Sequence, residues 1–180
     1  MEAARFTMVA RPEGTLLLWR SELRSGAGEL RFGSQEEMGL GVRVASPLRV
    51  KGGSGSIRNS AGGIDEAGTW GKEAGWWDYS GTAGDRRAGV LVVVLPEASR
   101  KCWGHTRDYG LLVANPTPPP DSKEKGFVVP AGESFKLGFA VLLHETGAAA
   151  ARDPGSAFDP AAAAAECLEA SRAKDEAPRR

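Results

Sequence analysis

"GWWDYSGTAGDRRAGVLVVVL", residues 75–95, reads as strand, turn, strand. Trp76–Ser80 is rich in aromatics, the TAGDR segment supplies the small and polar residues of a tight turn, and Val90–Leu95 is a run of β-branched and aliphatic side chains. The apolar stretch AGVLVVVLP, 88–96, is less than half as long as a membrane-crossing helix must be, so it predicts a buried strand.

The same signals continue to either side. Upstream, ARFTMVARPEGTLLLWRSEL alternates β-branched and aromatic residues with polar ones around an RPEG turn, which predicts a hairpin. Leu40, Val42 and Val44 alternate with Gly41, Arg43 and Ala45, giving a strand with one apolar face, its ends marked by Gly33 and Pro47. KGGSGSIRNSAGGIDEAGTWGKEAG has the composition of a linker, but it joins two strand regions and carries Trp70, so an ordered long loop is expected. Downstream, DYGLLVANP predicts a short strand and KGFVVPAGESFKLGFAVLLHETG a pair joined at PAGE. Roughly five to eight strands and no convincing amphipathic helix predict an all-β antiparallel sandwich, or part of a larger one, over residues 1–147. From Ala148 to Arg180 the chain turns Ala-rich and low in complexity, which predicts a disordered or weakly helical tail. A helix starting at Asp159–Pro160 would have almost no apolar face to dock.

Composition excludes several classes of function. Lys plus Arg and Asp plus Glu both number 23, so no net field draws in nucleic acid or an anionic membrane. No signal peptide or spanning segment is read, so a cytoplasmic location is the default expectation. Cys102 and Cys167 are too few for a disulfide framework, and with His105 and His144 they match no zinc spacing. No metal and no nicotinamide, flavin or nucleotide cofactor is therefore expected. KGGSGS lacks the strand and helix that a phosphate loop needs, and neither a nucleophile elbow nor a zinc-protease histidine pair occurs.

The chemistry-bearing residues crowd into CWGHTRDYGLLVANPTPPP, 102–120. His105 suits acid or base work near neutral pH if a carboxylate from Asp108, Asp78, Glu36 or Glu37 comes close. On a strand, Arg107 and Asp108 would face opposite sides, so each needs its own partner. A sugar-processing site calls for carboxylates, a histidine, Arg or Asn for hydroxyls and an aromatic for the ring, and QEEMGLGVR, WWDYSG and WGHTRDYGLLVANP together carry that kit.

FGSQEEMGLGVRVASPL, IRNSAGG, TWGKEAGWWDYSG and WGHTRDYGLLVANP occur in an order that resembles the methane oxygenase PmoA family, from about Arg31 to Gly147. The resemblance implies part of a galactose-mutarotase-like supersandwich, a carbohydrate-related role, and an upstream half with paired histidines that this chain lacks. The residues matching the family pattern include Glu36, Glu37, Arg43, Trp77, Asp78, Trp103, Arg107, Asp108, Tyr109 and Asn115. Two readings follow, both resting on fold analogy. In one, His105, Asp108 and Glu37 are catalytic in a concave pocket, with Arg107, Asn115, Arg43 and Asp78 binding a small sugar. In the other, Trp76, Trp77, Trp103 and Tyr109 stack on sugar in a non-catalytic binding module. A truncated remnant pairing with another copy through an exposed sheet edge is the alternative.

Overall fold

The computed structural model describes residues 1–147 and 158–176. Twelve strands form three antiparallel sheets. The largest has the order β1 (Glu2–Arg11), β2 (Gly14–Arg24), β12 (Ser134–Thr146), β8 (Arg86–Val94), β7 (Trp76–Ala83), β5 (Ser56–Asn59). Facing it are a four-stranded sheet, β4 (Leu40–Arg43), β10 (Leu111–Asn115), β9 (Cys102–Arg107), β6 (Glu73–Ala74), and the pair β11 (Gly126–Val129) and β3 (Leu30–Gly33). The chain is thus an all-β sandwich. The 75–95 hairpin forms as β7 and β8, and the RPEG hairpin as β1 and β2.

Two-sided burial explains why β8 and β12 read as continuous apolar runs. Val92 and Val141 lie abreast of Trp77 and Leu17, facing the smaller sheets in one core. Their neighbours Leu91 and Leu142 align with Leu16 and point to the opposite face, in a second core. That second core is closed by helix α2 (Pro160–Glu176), where Ala163, Ala164, Cys167 and Ser171 make a buried stripe at helical spacing.

The expectation that this helix has no face to dock is corrected. Side chains as small as Ala and Cys let the helix backbone approach a flat sheet closely, so a stripe that looks featureless in composition still packs. Asp159 caps the helix, its Oδ1 accepting from the Ala161 N–H at 2.9 Å. Arg20 donates to Ser171 Oγ at 2.7 Å, and Arg11 pairs with Glu166 at 2.7 Å. Of the tail expected at 148–180 to be disordered or weakly helical, residues 148–157 and 177–180 lie outside the described residues.

The 51–75 segment is ordered, as expected, but contains β5, the short helix α1 (Asp65–Thr69) and β6. Some of its glycines serve close packing: a Cβ on Gly55 would lie 2.0 Å from the Leu48 carbonyl oxygen.

At one point the second core is polar. Gly89 lies between Ser80 and His144 in register, and His144 Nε2 is 2.7 Å from Asp78 Oδ1. Ser80 donates to Asp78 Oδ2 at 2.8 Å, Arg87 donates to Ser80, and the Phe158 ring stacks on His144 at 3.6 Å. Gly89 makes this convergence sterically feasible, because a Cβ there would come within 2.4 Å of Ser80 Cβ and 2.7 Å of His144 Nε2.

Two outcomes test this packing. Gly89→Ala, although alanine is ordinarily the better strand residue, should lower unfolding free energy by about 1–3 kcal/mol in urea melts; an unchanged midpoint would contradict the close approach. Burial pushes the Cys167 thiol up to about 11 and the Cys102 thiol to about 12. Phe158→Ala should therefore speed Ellman's-reagent labelling of Cys167 while leaving Cys102 slow, and equal rates would mean that α2 does not depend on the stacked ring.

Candidate functional site

Strand alternation places Trp103, His105 and Arg107 on the outer face of the four-stranded sheet, since Cys102 points into the core. Register lays them out in rows: Arg43, Leu111 and Arg107 lie abreast, then Gly41, Val113 and His105, then Asn115 and Trp103. The segment after β3 folds over this face. Its Gln35 carbonyl accepts from Asn115 Nδ2 at 2.6 Å and from Thr117 Oγ1 at 2.9 Å. Glu36 Oε2 is thereby brought 3.6 Å from both His105 Nδ1 and an Arg107 terminal nitrogen.

Helix α1 supplies the other side. Glu66 accepts from Arg107 at 2.9 Å and from the Asp108 backbone N–H at 3.0 Å, while Asp108 Oδ1 accepts from the Glu66 N–H at 2.9 Å. The Arg107 guanidinium carbon sits 5.3 Å from the centroid of the Trp70 ring. Trp70 meets Trp103 edge-on at 6.2 Å, and Trp103 meets His105 edge-on at 6.0 Å. Two polar atoms of this group are buried without a hydrogen-bond partner: Trp70 Nε1 and His105 Nδ1.

Burial, and then the Arg107 charge, lower the His105 pKa against the opposing pull of Glu36, Glu37 and Glu66, so the ring is neutral at pH 7. For Glu66, burial opposes ionisation, but the Asp108 N–H and the Arg107 guanidinium outweigh it and hold the carboxyl below its ordinary value.

The structure brings His105, Arg107, Trp103, Glu37 and Asp108 to one region, each in a particular state. Glu37 is exposed and reaches His105 only through its charge. The Asp108 carboxylate is engaged on α1. Trp103 is 2% exposed and donates from Nε1 to the Thr117 carbonyl, so its faces are closed to a sugar ring. Tyr109 remains 44% exposed, with the Arg43 guanidinium carbon 5.6 Å from its centroid.

Three expected ligand-binding residues stand elsewhere. Trp77 lies wholly in the inter-sheet core. Asp78, its neighbour on the strand, points to the opposite face, beneath α2 with His144. Asn115 is fully buried and holds Gln35 and Thr117, which leaves it no role towards hydroxyls. The sequence reading missed Glu66, for which no local signal exists, and the partnership of Trp70 with Arg107. His144, oriented by Asp78, has the carboxylate support of a general base, but Ser80 bonds the Asp rather than the His and the whole group is buried.

Two clefts near β6 and β9 are not lined by His105. One of about 410 Å³ is lined by Ala74, Val94, Leu95, Pro96 and Cys102, and an adjoining one of about 230 Å³ by Trp103, Thr117 and Pro119. Arg100, shared by both, is held by the Pro116 carbonyl and Glu124. At the His105 site the imidazole is 2% exposed while Glu36 is exposed. Among the described residues no three His, Cys, Asp or Glu side chains are grouped to hold a metal ion, and no helix is long and apolar enough to cross a membrane.

Residues 1–155 match the model described as "Family of unknown function (DUF6807)", and because that span is most of the chain, the chain belongs to this family. No curated protein and no solved structure matches it. The resemblance to methane oxygenase PmoA is thereby corrected: the matching model is that of a family of unknown function, and nothing in the comparisons points to PmoA. The sugar-related role loses that support and rests on the residues alone.

The two perturbed groups set the acid limb of stability. The depressed His105 pKa means that the unfolded chain takes up the proton first, so stability falls as pH drops below about 6.5. The Glu66 contribution is complete above 4.5 and is lost as pH falls through the lower folded value. His105→Gln should flatten the upper part of this limb and Glu66→Gln the lower part, in urea midpoints measured against pH. An NMR midpoint for the His105 ring above 6.5 would contradict the assignment.

Proposed function

As a member of this family of unknown function, the chain is, we propose, a binding protein for small polyhydroxylated, sugar-class molecules, taken up on the outer face of the four-stranded sheet. The observation that carries the reading is the pair of orphaned buried atoms, Trp70 Nε1 and His105 Nδ1, beside an exposed Glu36 carboxylate and a half-buried Arg107. A buried polar group without a partner costs free energy that a hydroxyl, able both to donate and to accept, relieves. Glu36 would accept from a second hydroxyl, and Arg107 would donate to a ring or hydroxyl oxygen. Binding is favoured over catalysis because the Asp108 and Glu66 carboxylates are already engaged.

A second reading, association of two copies through the free edge of β1, is supported by Phe6 and Met8, which are 63% and 74% exposed on a ten-residue edge strand. Phe6→Lys should then abolish any dimer seen by sedimentation. A monomer at all concentrations would remove this reading.

For the binding reading, a ligand at about a hundred times its dissociation constant should add about 2.7 kcal/mol to stability, visible as a raised melting temperature across a sugar panel. Trp70→Phe, which keeps a ring and removes the N–H, and Glu36→Gln should each weaken binding roughly tenfold while leaving the unliganded melt in place. Binding unaffected by both variants would place the ligand elsewhere.

A further inference from the structure

The turn that joins β9 to β10, Asp108–Gly110, is enclosed by residues from 43 to 51. The Val44 N–H donates to the Gly110 carbonyl at 2.9 Å and the Lys51 N–H to the Asp108 carbonyl at 2.9 Å. Tyr79 ties the two segments together, its hydroxyl accepting from the Val50 N–H and donating to the Asp108 carbonyl at 3.0 Å. Gly110 has φ +108°, and a Cβ there would lie 3.1 Å from Arg49 Cγ and 3.3 Å from Arg49 Nε, so the Arg49 stem runs against the turn.

The segment that encloses this turn carries three cationic residues, Arg43, Arg49 and Lys51. Arg43, Arg49 and Lys51 form no ion pair with any described carboxylate, whereas Arg107, in the same row as Arg43, has both Glu36 and Glu66. Arg49 Nε is buried and has no hydrogen-bond partner. The nearby acids are committed elsewhere, Asp108 Oδ1 to the Glu66 N–H and Asp65 Oδ1 to the Ile57 N–H. A guanidinium N–H kept from water without an acceptor is unfavourable, and its planar fork matches the two oxygens of a carboxylate. The exposed Tyr109 ring lies under the Arg43 guanidinium, 5.6 Å from its carbon to the centroid.

From this geometry, and resting on the binding reading above, we propose that Arg49, with Arg43 and Lys51, receives the carboxylate of an acidic sugar whose hydroxyls lie towards Glu36, Arg107 and Trp70. Arg43 and Arg107 are two strand spacings apart, about 10 Å, which suits two sugar rings. The ligand class is a uronate-containing disaccharide.

The test uses the whole chain and Arg49→Gln, Lys51→Gln and Arg49→Lys variants, titrated with gluco-, galacto- and manno-configured uronate disaccharides, their neutral parents, and sulfate alone. The expected result is that at least one uronate binds tenfold or more tightly than its neutral parent. That preference should weaken as salt is raised and should fall at least tenfold in Arg49→Gln. Arg49→Lys should restore part of it, and Lys51→Gln gives an independent reading if Arg49→Gln melts early. Neutral parents binding as tightly as uronates would overturn the inference and leave the binding reading standing. Sulfate binding that depends on Arg49, with no sugar bound, would overturn both as stated and leave only an anion site. No binding by any probe to a folded chain would overturn both.

Discussion

Strand β12 is the element on which the molecule depends. It pairs with β2 over Ser134–His144 and with β8 over Phe139–Thr146, and alternate side chains of its middle enter different cores. Phe139 and Val141 face the smaller sheets, while Ala140 and Leu142 face helix α2. Over Leu137–Leu142 both faces are buried, which leaves no solvent side for polar residues there, whereas Lys136 and Glu145 reach solvent. His144 near its end is satisfied at Nε2 through Asp78, which in turn accepts from Ser80, while its Nδ1 is buried without a partner.

The same constraint governs what the sequence discloses. The 75–95 hairpin is readable because strand-type runs flank an obvious turn, and β4 because one side alternates. β9 resists such reading: Cys102 to Thr106 are all buried, so no alternation of polar and apolar residues marks its two faces. Strand geometry also separates neighbours that look like one site on paper. Trp77 and Asp78 are adjacent, yet one enters the inter-sheet core and the other the helix-covered face. Arg107 and Asp108 show the converse. The strand ends at Arg107, and a single distant residue, Glu66, binds the side chain of one and the backbone of the other.

Helix α2 escapes a hydrophobicity-based reading for a different reason. Its docking depends on how closely the backbone can approach, and Ala163, Ala164 and Cys167 contribute by being small rather than strongly apolar. At the candidate site the visible signals were types of residue, a histidine, an arginine and tryptophans. The decisive features were states: which carboxylates were already engaged and which nitrogens were left without partners. These emerge only when loop 34–39 and helix α1, both remote in sequence from β9, are in place.

The register of β12 also bears on how the chain can be made. Leu16 pairs with Leu142, so β2 has no partner on its inner side until nearly all of the sandwich has left the ribosome. Until then the β1–β2 hairpin, with Phe6 and Trp19 stacked on one face, lacks its β12 neighbour, and a two-stranded ribbon alone has marginal stability in water. The pairing of β2 with β12 is therefore made late, by closure over a long intervening loop, and β1 and β2 must be kept from pairing with the wrong edges during that interval.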